Sequence, residues 1–558
     1  MTASDSVLST ASDRRTFIRG AALSAGAACV AANMAMPAAA RADGEGWDLE
    51  ADVVVVGTGT AAVAAAAASY YGANKVVVLE KAGIFGGTTM YSGQGVGIPL
   101  SDAEFEAGVE DSIEQVMTYY RSASNNRIDE AVSRSYVENG NEFLRWTGEA
   151  FGMTWGFTVP AFQDYYEPSE GYVPFGRGNI SVIACEGYPE DQPPRPWSLL
   201  EESLEADSNV ELLFNTPATD LIVEDGRVVG VAATGEDGTP LRVHALKGVV
   251  LGTGGFDYND EMRRSYLGFP YFVTNAAPGN TGDGHRMGMA IGAATAYMDR
   301  AWGLPCFLPG GEDPAELIAN NQIVNTMVGN DWAMYRGKPG ALVVNRCGRR
   351  FADEAEVYGS FNLSFGNYDT HFSNTPNIPA YFICDSGYTA AYTLPGQAAV
   401  GDPVPDFIVQ ADTLEELAEK LGIEVEGLLE QVEEFNANAE QGLDPQFGRG
   451  QKSIDVNTTG LFAGMREDLS NPCLAPVQTA PFYGAVYVPG TCGTCGGLKI
   501  NESAQVMSVG GNPIEGLYAV GNCSSGVSGG MYMHGGMTVG SGAVMSWVAV
   551  RHLLGVSE

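Results

Sequence analysis

The first clear hydrophobic pattern covers residues 52–80. Asp52 to Val56 is a short run dominated by β-branched residues, which predicts a strand buried in a parallel sheet. A glycine turn and an Ala-rich helix through Ser69 follow, and a second apolar strand from Lys75 to Leu79 ends on Glu80. This order of strand, glycine turn, helix, strand and acid predicts a βαβ unit.

Further glycine turns follow strands or open helices later in the chain. In chain order they are Gly252-Thr253-Gly254-Gly255 after the strand Val249 to Leu251, Thr281-Gly282-Asp283-Gly284 at the start of a helix whose apolar positions continue to Ala294, Gly521-Asn522 after the strand Gly516 to Val520, and Thr538-Val539-Gly540 at the start of the last helix. Any one of these segments is compatible with an ordinary turn. Their meaning depends on their order.

Residues 301–484 contain few motifs that indicate a catalytic or binding function, apart from one tyrosine considered below. Leu414 to Leu421 and Val425 to Phe435 have the periodicity of paired amphipathic helices, capped before and after by Thr413 and Asn436. Their charged positions are expected to form a solvated face.

Composition and charge narrow the class of protein. The 558 residues are 45% hydrophobic and 18% charged, as in a globular chain with a large core. The formal net charge of −38 repels nucleic acid, so no nucleic-acid partner is expected. Most of the nine cysteines are expected to be buried free thiols, because a core of this size needs no disulfide framework.

The first 42 residues are predicted to be an export signal and are excluded from the fold. Asp13 to Arg19 contains a twin-arginine pattern, and an Ala-rich apolar stretch from Ala21 to Ala40 ends in small residues. Cleavage is expected after Ala40 or Ala42. We therefore expect export by the Tat route to the periplasm or another extracytoplasmic side, with membrane association left open.

The glycine turn of the βαβ unit has the residues that a dinucleotide requires. Gly57 makes the tight turn, Gly59 lets the backbone approach a pyrophosphate, and Ala62 replaces the third glycine of the motif. The helix N-terminus supplies free N–H groups to the phosphates. Glu80 is expected to accept hydrogen bonds from both ribose hydroxyls.

The segment after Glu80 favours FAD over NAD. Gly86 to Gly95 is a Gly/Ser/Thr ribbon with many backbone donors and little side-chain bulk, suited to lie against a flavin. The N-terminus of the last helix can hold negative charge on the O2 side of the reduced flavin. The predicted cofactor-binding residues are Gly57, Gly59, Thr60, Ala61, Glu80, Lys81, Gly86, Gly87, Thr88, Thr89, Ser92, Gly93, Gly95, Thr253, Gly254, Gly282, Asp283, Gly521, Asn522, Thr538 and Val539.

These segments, in this order, resemble the FAD domain of the fumarate reductase and 3-ketosteroid dehydrogenase superfamily over nearly all of the chain after residue 42. The resemblance implies an α/β fold with a Rossmann-type FAD-binding domain built from both chain ends, residues 48–300 and 485–558. It also implies an inserted α+β substrate domain, residues 301–484.

The residues that grip a dicarboxylate in fumarate reductases are missing. Those enzymes carry a motif similar to His-Thr-Met-Gly-Gly before the last strand and one similar to Asn-Arg-Leu-Gly-Gly before the last helix. Here Gly493 occupies the His position and Met533 the Arg position. A buried carboxylate without a partner costs several kcal/mol, about 3 or more, so a dicarboxylate is a poor candidate substrate.

The 3-ketosteroid 1-dehydrogenases match better, in four separate segments. The matches are Gly493 to Leu498, Tyr518 to Gly540, Gly348 to Tyr358 with Asp353 in place of the usual Asn, and Asp164-Tyr165-Tyr166. The resemblance places the carbonyl-binding pair on Tyr532 and Gly536 and implies that Tyr358, assisted by Tyr165, takes a proton. Tyr166 is the alternative candidate for the role assigned to Tyr165.

The implied chemistry uses tyrosines and a backbone amide. Tyr532 O–H and Gly536 N–H would bind the C3 carbonyl of a 3-ketosteroid and stabilise its enolate, as an oxyanion hole does. Tyr358 would remove the C2 proton while the C1 hydride passes to flavin N5. Because the ordinary pKa of tyrosine is about 10, the site must lower the pKa of Tyr358, and the sequence does not show how.

Alternatives remain at this point. The enzyme could be an exported fumarate-reductase-like reductase of an unsaturated carboxylic acid, or the chain could be an FAD-bearing electron-transfer protein. The direction is also open, since one site can oxidise a saturated ketone or reduce an enone. The expected partners are a hydrophobic ketosteroid-like substrate and an external electron carrier, either a quinone or a separate redox protein.

The Cys492-Gly-Thr-Cys495 segment has three possible interpretations. Haem attachment requires a His where Gly496 stands, and a metal site requires further ligands that no second C-x-x-C supplies. A redox disulfide is possible in an exported protein. The family match favours a flavin-facing glycine loop, so no metal site is predicted.

Overall fold

The computed structural model describes residues 46–157, 164–189, 191–308, 314–326, 335–457, 464, 466 and 468–556. The predicted signal, residues 1–42, lies outside these ranges. Within them, no helix is both long and apolar enough to cross a membrane.

The strands of the described residues are numbered in chain order. They are β1 (Leu49–Val56), β2 (Val76–Leu79), β3 (Met153–Phe157), β4 (Ile180–Cys185), β5 (Val210–Leu213), β6 (Ala218–Glu224), β7 (Arg227–Thr234), β8 (Pro240–Leu251), β9 (Val273–Thr274), β10 (Thr295–Ala296), β11 (Ala301–Gly303), β12 (Cys306–Phe307), β13 (Val324–Asn325), β14 (Ala341–Asn345), β15 (Ala380–Asp385), β16 (Val409–Ala411), β17 (Phe482–Val488), β18 (Gly490–Thr494), β19 (Gly497–Leu498), β20 (Gln505–Met507) and β21 (Pro513–Ala519).

The helices of the same residues are numbered likewise. They are α1 (Ala62–Tyr70), α2 (Gly87–Tyr91), α3 (Asp102–Glu106), α4 (Ile113–Ala123), α5 (Glu130–Phe151), α6 (Pro196–Ala206), α7 (Asp260–Tyr266), α8 (Asp283–Ala290), α9 (Pro314–Asn320), α10 (Tyr358–Leu363), α11 (Ser386–Ala391), α12 (Leu414–Leu421), α13 (Val425–Ala439) and α14 (Met537–Leu554).

The largest sheet has the order β20-β21-β7-β8-β1-β2-β5, with β6 paired to β7. β1 lies between β2 and β8 and pairs parallel with both. Its valines are buried because both faces of this parallel sheet are covered. β21 adds a strand from the C-terminal end of the chain, parallel to β8. Both ends of the chain therefore build one α/β layer.

A second sheet, of order β12-β17-β15-β14 with β16 on β17, lies in the middle of the chain. It has its own apolar core, which includes Phe307, Phe382 and Tyr487. β17 runs from Phe482 to Val488, so the predicted domain boundary between residues 484 and 485 falls inside a strand of this sheet. The mixed α/β architecture, with a second unit inserted into the nucleotide-binding domain, is the predicted fold class.

Two predicted helix ends differ from the structure. The helix that opens at Asp283 ends at Ala290 rather than Ala294, because Gly292 has φ +89° and the next residues pair with the 507–508 segment. Asn436 does not cap α13, which continues to Ala439. Its side-chain amide instead exchanges two hydrogen bonds with the backbone of Val477, at 2.7 and 2.8 Å. Thr413 caps α12 as predicted, accepting from the Glu416 N–H.

Candidate active site

A cavity of about 560 Å³ lies at the carboxyl ends of β1, β2 and β8. This is the position where open parallel sheets bind their ligands, and the volume suits a cofactor-sized molecule. Glycine-containing segments from four parts of the chain meet in its wall. We call this glycine-rich part of the wall the nucleotide cradle; it comprises Gly57 to Thr60, Gly87 to Thr89, Gly252 to Gly254 and Gly521.

Two glycine turns pack against each other at the base of the cradle. Gly57 has φ +101°, and a Cβ there would collide with the carbonyl oxygen of Gly252. Gly59 differs, since a Cβ there would lie 3.6 Å from the Thr89 hydroxyl, an ordinary contact. Gly57 is therefore needed for the protein's own packing, whereas the glycine at 59 leaves space on the ligand side.

Glu80 is tied to the glycine turn by Thr58. One carboxylate oxygen accepts hydrogen bonds from the Thr58 N–H at 3.0 Å and from its hydroxyl at 2.7 Å. The Thr58 hydroxyl also accepts the Gly86 N–H at 2.9 Å. The acid at the end of β2 is thereby fixed at the cavity wall, where it retains acceptor capacity for a ribose.

The structure brings most of the predicted cofactor residues to one cavity. Those that line it are Gly57, Gly59, Thr60, Glu80, Lys81, Gly87, Thr88, Thr89, Ser92, Thr253, Gly254, Asp283, Gly521, Asn522, Thr538 and Val539. Those outside the lining are Ala61, Gly86, Gly93, Gly95 and Gly282. Lys81 is the one cation among the described lining residues, and its ammonium lies 2.5 Å from the Asp283 carboxylate.

Sequence reasoning missed part of the wall. Asn275 and Ala277 to Asn280 line the cavity between β9 and α8. The Thr88 hydroxyl accepts hydrogen bonds from the Ala277 N–H at 2.9 Å and from the Asn280 amide at 3.1 Å. The turn-rich sequence Ala277-Pro278-Gly279-Asn280, directly before the predicted Thr281-Gly282 turn, was the signal that could have located it.

Three tyrosines from distant segments meet beside this cavity, and we call them the tyrosine cluster: Tyr165, Tyr358 and Tyr532. The hydroxyls of Tyr165 and Tyr358 lie 3.2 Å apart. The Tyr532 ring lies 5.4 Å from the Tyr165 ring and 5.7 Å from the Tyr358 ring, between centroids. Tyr532 lines the cavity next to Cys492 and Asn522. The hydroxyl of Tyr165, and not that of its neighbour Tyr166, lies within hydrogen-bond distance of the Tyr358 hydroxyl.

Gly536 places a backbone N–H beside the Tyr532 hydroxyl. It is the N-cap of α14 with φ +75°, and a Cβ there would meet the backbone of Gly95 to Gly97 within 2.8 Å. Burial raises the pKa of Tyr532 to about 12, while hydrogen bonds from Tyr358, Thr538 and the Gly536 N–H oppose the rise. The two predicted carbonyl donors therefore lie side by side, and Tyr532 stays protonated near neutral pH.

The expected lowering of the Tyr358 pKa is not found. Burial raises the pKa of Tyr358 and of Tyr165 well above the ordinary tyrosine value, and their mutual proximity adds to the effect on Tyr358. The side chains with the largest effect on the pKa of Tyr358 are Tyr165, Tyr532 and Cys492, and none of the three is a cation. None of these three side chains stabilises a phenolate by charge.

His534 and the thiols of Cys492 and Cys495 are uncharged near neutral pH. His534 is fully buried, lies 2.8 Å from the Tyr120 hydroxyl through Nε2, and has its pKa lowered to about 3 by burial. Cys492 and Cys495 are both free thiols. Burial raises the pKa of Cys492 to about 12, so the thiol that lines the cavity is protonated.

The position of the missing carboxylate anchor is closed. Gly493 has φ +149°, and a Cβ there would collide with the side-chain amide of Asn522. Asn522 is held in turn by the Trp302 indole N–H at 2.9 Å. A histidine at 493 would not fit this arrangement, which agrees with the absence of a dicarboxylate grip.

Comparison with known proteins agrees with this geometry. The chain matches the FAD binding domain family over residues 52–539. It is 31% identical to 4-oxocyclohexanecarboxylate 2-dehydrogenase of Sinomonas cyclohexanicum over 533 residues, which cover 86% of this chain and 88% of the relative. It is 30% identical to 3-oxosteroid 1-dehydrogenase of Mycolicibacterium smegmatis over 557 residues, covering 86% and 93%.

Solved structures give the same result. The fold is similar to 3-ketosteroid delta1-dehydrogenase from Sterolibacterium denitrificans in complex with 1,4-androstadiene-3,17-dione, with a TM-score of 0.76, 27% identity, and coverage of 91% of this chain and 100% of the other. An open flavocytochrome c3 fumarate reductase shares the fold, with a TM-score of 0.65 at 23% identity. The chain therefore belongs to the FAD-dependent 3-ketosteroid 1-dehydrogenase family, and it is an FAD-dependent oxidoreductase that acts on CH–CH groups.

Proposed function

We propose that this enzyme introduces or removes the C=C bond next to a ring ketone, with ring A of a 3-ketosteroid as the substrate. The observation that supports this proposal is that Tyr165, Tyr358 and the Gly536 N–H surround Tyr532, which lines the cavity. That arrangement supplies two donors for a carbonyl oxygen and a pair of hydroxyls for a proton.

The carbonyl is bound by Tyr532 and Gly536. The Gly536 N–H lies at the Tyr532 hydroxyl, so one ketone oxygen bound between them can accept from both. Negative charge develops on that oxygen as the neighbouring C–H bond breaks, and preorganised donors stabilise the charge. This is the step in which the enzyme acidifies the carbon next to the ketone.

The proton is exchanged at the Tyr358 hydroxyl, with Tyr165 as its hydrogen-bond partner. Bound FAD supplies the hydride-transfer chemistry. In the oxidative direction Tyr358 accepts the proton, and in the reductive direction it donates one. Because burial favours neutral tyrosines here, the donating form of Tyr358 is the resting form.

The names of two relatives support a ring ketone as the reacting unit. One is named for a 3-oxosteroid and the other for a 4-oxocyclohexanecarboxylate. Both substrates carry an oxo group on a ring. The apolar neighbourhood of Tyr532, where the Trp302 ring lies 5.4 Å away between centroids, favours the hydrophobic substrate.

The proposal extends to location and electron supply. The twin-arginine pattern supports export by the Tat route, to the periplasm or another extracytoplasmic side. Gly496 stands where a C-x-x-C-H haem motif would need a histidine. We therefore propose that electrons are exchanged with a quinone or a separate redox protein.

Anaerobic flavin spectra of the purified holoenzyme test the proposed function. A saturated 3-ketosteroid is added to the oxidised enzyme, and a 3-keto-enone is added to the enzyme reduced with dithionite. We expect bleaching by the first or reoxidation by the second, and the faster of the two gives the direction. No response to either, together with reoxidation by a simple unsaturated acid, would overturn the proposal in favour of a fumarate-reductase-like activity.

A further inference from the structure

The tyrosine cluster is assembled from segments that are distant in sequence: Tyr358 begins α10, and the other two tyrosines lie on loops. Tyr165 lies on the loop before β4, and Tyr532 and Gly536 lie on the loop before α14. The two loops meet through a backbone hydrogen bond from the Tyr165 N–H to the Met533 carbonyl, 2.8 Å long, and a bridge between Asp164 and His534. The distance between the proton-transfer pair and the carbonyl donors depends on this junction.

The Tyr119 hydroxyl joins both loops at the same junction. It donates to the Met533 carbonyl at 2.8 Å and accepts the Tyr166 N–H at 3.1 Å. One hydroxyl therefore holds the backbone next to Tyr165 and the backbone next to Tyr532. Because its two partners are an acceptor and a donor, the direction of its O–H is fixed.

Tyr119 itself is rigidly placed. It is fully buried on α4, and the Arg177 guanidinium lies 5.5 Å from its ring centroid. Arg177 also binds Asp164 at 2.7 Å and Asp111 at 2.6 Å, so the Tyr165 loop is held to the segment just before α4 by buried ion pairs. Gly171 completes the junction, since a Cβ there would collide with the Tyr119 backbone N at 2.7 Å.

We propose that Tyr119 is a positioning residue, whose hydroxyl sets the spacing between Tyr165 and the Tyr532–Gly536 pair. The inference rests on the proposed function of that site. Tyr119 does not line the cavity, and it acts through the two loops and not on the substrate. Since a displacement of about 1 Å in a reacting group costs up to about 100-fold in rate, the loss of one bridging hydroxyl should be visible in the rate of reaction.

The test compares Tyr119→Phe with Tyr487→Phe. Tyr487 is also fully buried, and its hydroxyl donates to a backbone carbonyl, that of Pro305, at 2.9 Å in the inserted domain. For wild type and both variants, stopped-flow measurements give the limiting rate of flavin reduction by a saturated ketone and the apparent Kd of the ketone. FAD content, Tm and hydrogen exchange of residues 164–173 and 528–536 are measured alongside.

We expect Tyr119→Phe to lower the limiting rate about 10- to 100-fold with little change in apparent Kd, FAD content or the shape of the pH profile. Hydrogen exchange should rise in both loops together. Tyr487→Phe should match it in Tm and keep the wild-type rate. A wild-type rate in Tyr119→Phe, or equal loss in the two variants, would overturn the inference.

The two proposals can fail separately. If the wild type does not react with any ketone, the proposed function fails, and hydrogen exchange still decides the role of Tyr119. In that case unchanged exchange in either loop overturns the positioning role, and a joint increase in both loops supports it.

Discussion

The nucleotide cradle and the tyrosine cluster adjoin each other, yet they are built in different ways. The cradle presents backbone groups from glycine turns, each placed by the strand or helix next to it in sequence. The tyrosine cluster presents side chains from residues 165, 358 and 532, held together by contacts between loops. Cofactor binding here depends on local backbone geometry, whereas the proposed catalysis depends on long-range packing.

This difference determines what a substitution does. In the cradle, a new side chain takes up space that the cofactor needs or strains a turn. In the tyrosine cluster, removing a hydroxyl leaves the fold intact and removes a single chemical function. Substitutions in the two regions should therefore separate loss of FAD from loss of turnover.

Tyr532→Phe should have the largest effect on turnover. Loss of one oxyanion donor lowers kcat by about 100- to 1,000-fold, and the Gly536 N–H remains as the second donor. FAD content should stay at the wild-type level, because the Tyr532 ring is retained. Stopped-flow flavin reduction by a saturated ketone, with flavin absorbance as the measure of FAD content, checks both parts.

The matching control is Tyr487→Phe, which removes a buried tyrosine hydroxyl that does not line the cavity. If Tyr532→Phe turns over a ketone at the wild-type rate, the carbonyl-binding role is excluded. If Tyr532→Phe loses FAD, substitutions in the tyrosine cluster do not separate loss of turnover from loss of FAD.

The pH dependence should differ between the two directions. Burial raises the pKa of Tyr358 above its ordinary value, so the phenolate that accepts a proton is scarce at neutral pH and becomes more abundant as pH rises. Oxidation of a saturated ketone should speed up about 10-fold per pH unit between about pH 7 and 9. Reoxidation of the reduced enzyme by an enone, in which neutral Tyr358 donates, should be nearly flat.

Stopped-flow rates at saturating substrate, measured in both directions across that range, test this asymmetry. Tyr358→Phe should abolish the slope of the oxidative direction. An oxidative rate that is already flat at neutral pH would mean that the base is ionised there, contrary to the pKa that burial imposes.

The same difference explains how much could be predicted from the sequence. The cradle was predictable because Gly57, Gly59 and Glu80 sit at fixed offsets within one βαβ unit, and strand, turn and helix can be recognised locally. The fold class followed from the order of such units together with the family resemblance. The turn at 277–280 was missed because turn residues alone do not indicate a ligand contact, and its contact with Thr88 is set by tertiary packing.

The tyrosine cluster could be located only through resemblance. No local pattern distinguishes Tyr358 among 24 tyrosines, and its contact with Tyr165 is set by tertiary packing. The same holds for Tyr119, whose bridging hydroxyl has no sequence signature. The raised pKa of Tyr358 is also a property of packing, since it arises from burial among uncharged side chains.

Gly59→Ala should weaken FAD binding while leaving the protein folded. The added methyl makes only an ordinary 3.6 Å contact with Thr89, but it occupies the side on which the pyrophosphate approaches the backbone. We expect the Kd for FAD to rise about 10-fold or more, since lost contacts of about 1.4 kcal/mol correspond to 10-fold in affinity. Fluorescence titration of the deflavinated protein with FAD gives the Kd.

Gly268→Ala is the matched control for that variant. A methyl group added at Gly268 would point into open space, and this residue lies outside the cavity wall. The substitution should leave both FAD affinity and Tm unchanged. A Gly59→Ala protein that binds FAD as tightly as wild type would show that the cofactor does not approach the backbone there.

Thr58→Val should have the smallest effect on FAD binding of these variants. It tests whether the Thr58 side chain in the nucleotide cradle contributes to FAD affinity. The substitution keeps the shape and removes the hydroxyl that donates to Glu80 at 2.7 Å and accepts from Gly86 at 2.9 Å. Because a net hydrogen bond contributes about 1 kcal/mol, the Kd for FAD should rise only about fivefold, with turnover of the loaded enzyme unchanged. Thr58→Ser retains the hydroxyl and should bind FAD like wild type. Equal weakening in the serine variant would assign the effect to lost packing of the methyl group and not to the tie between the glycine turn and Glu80.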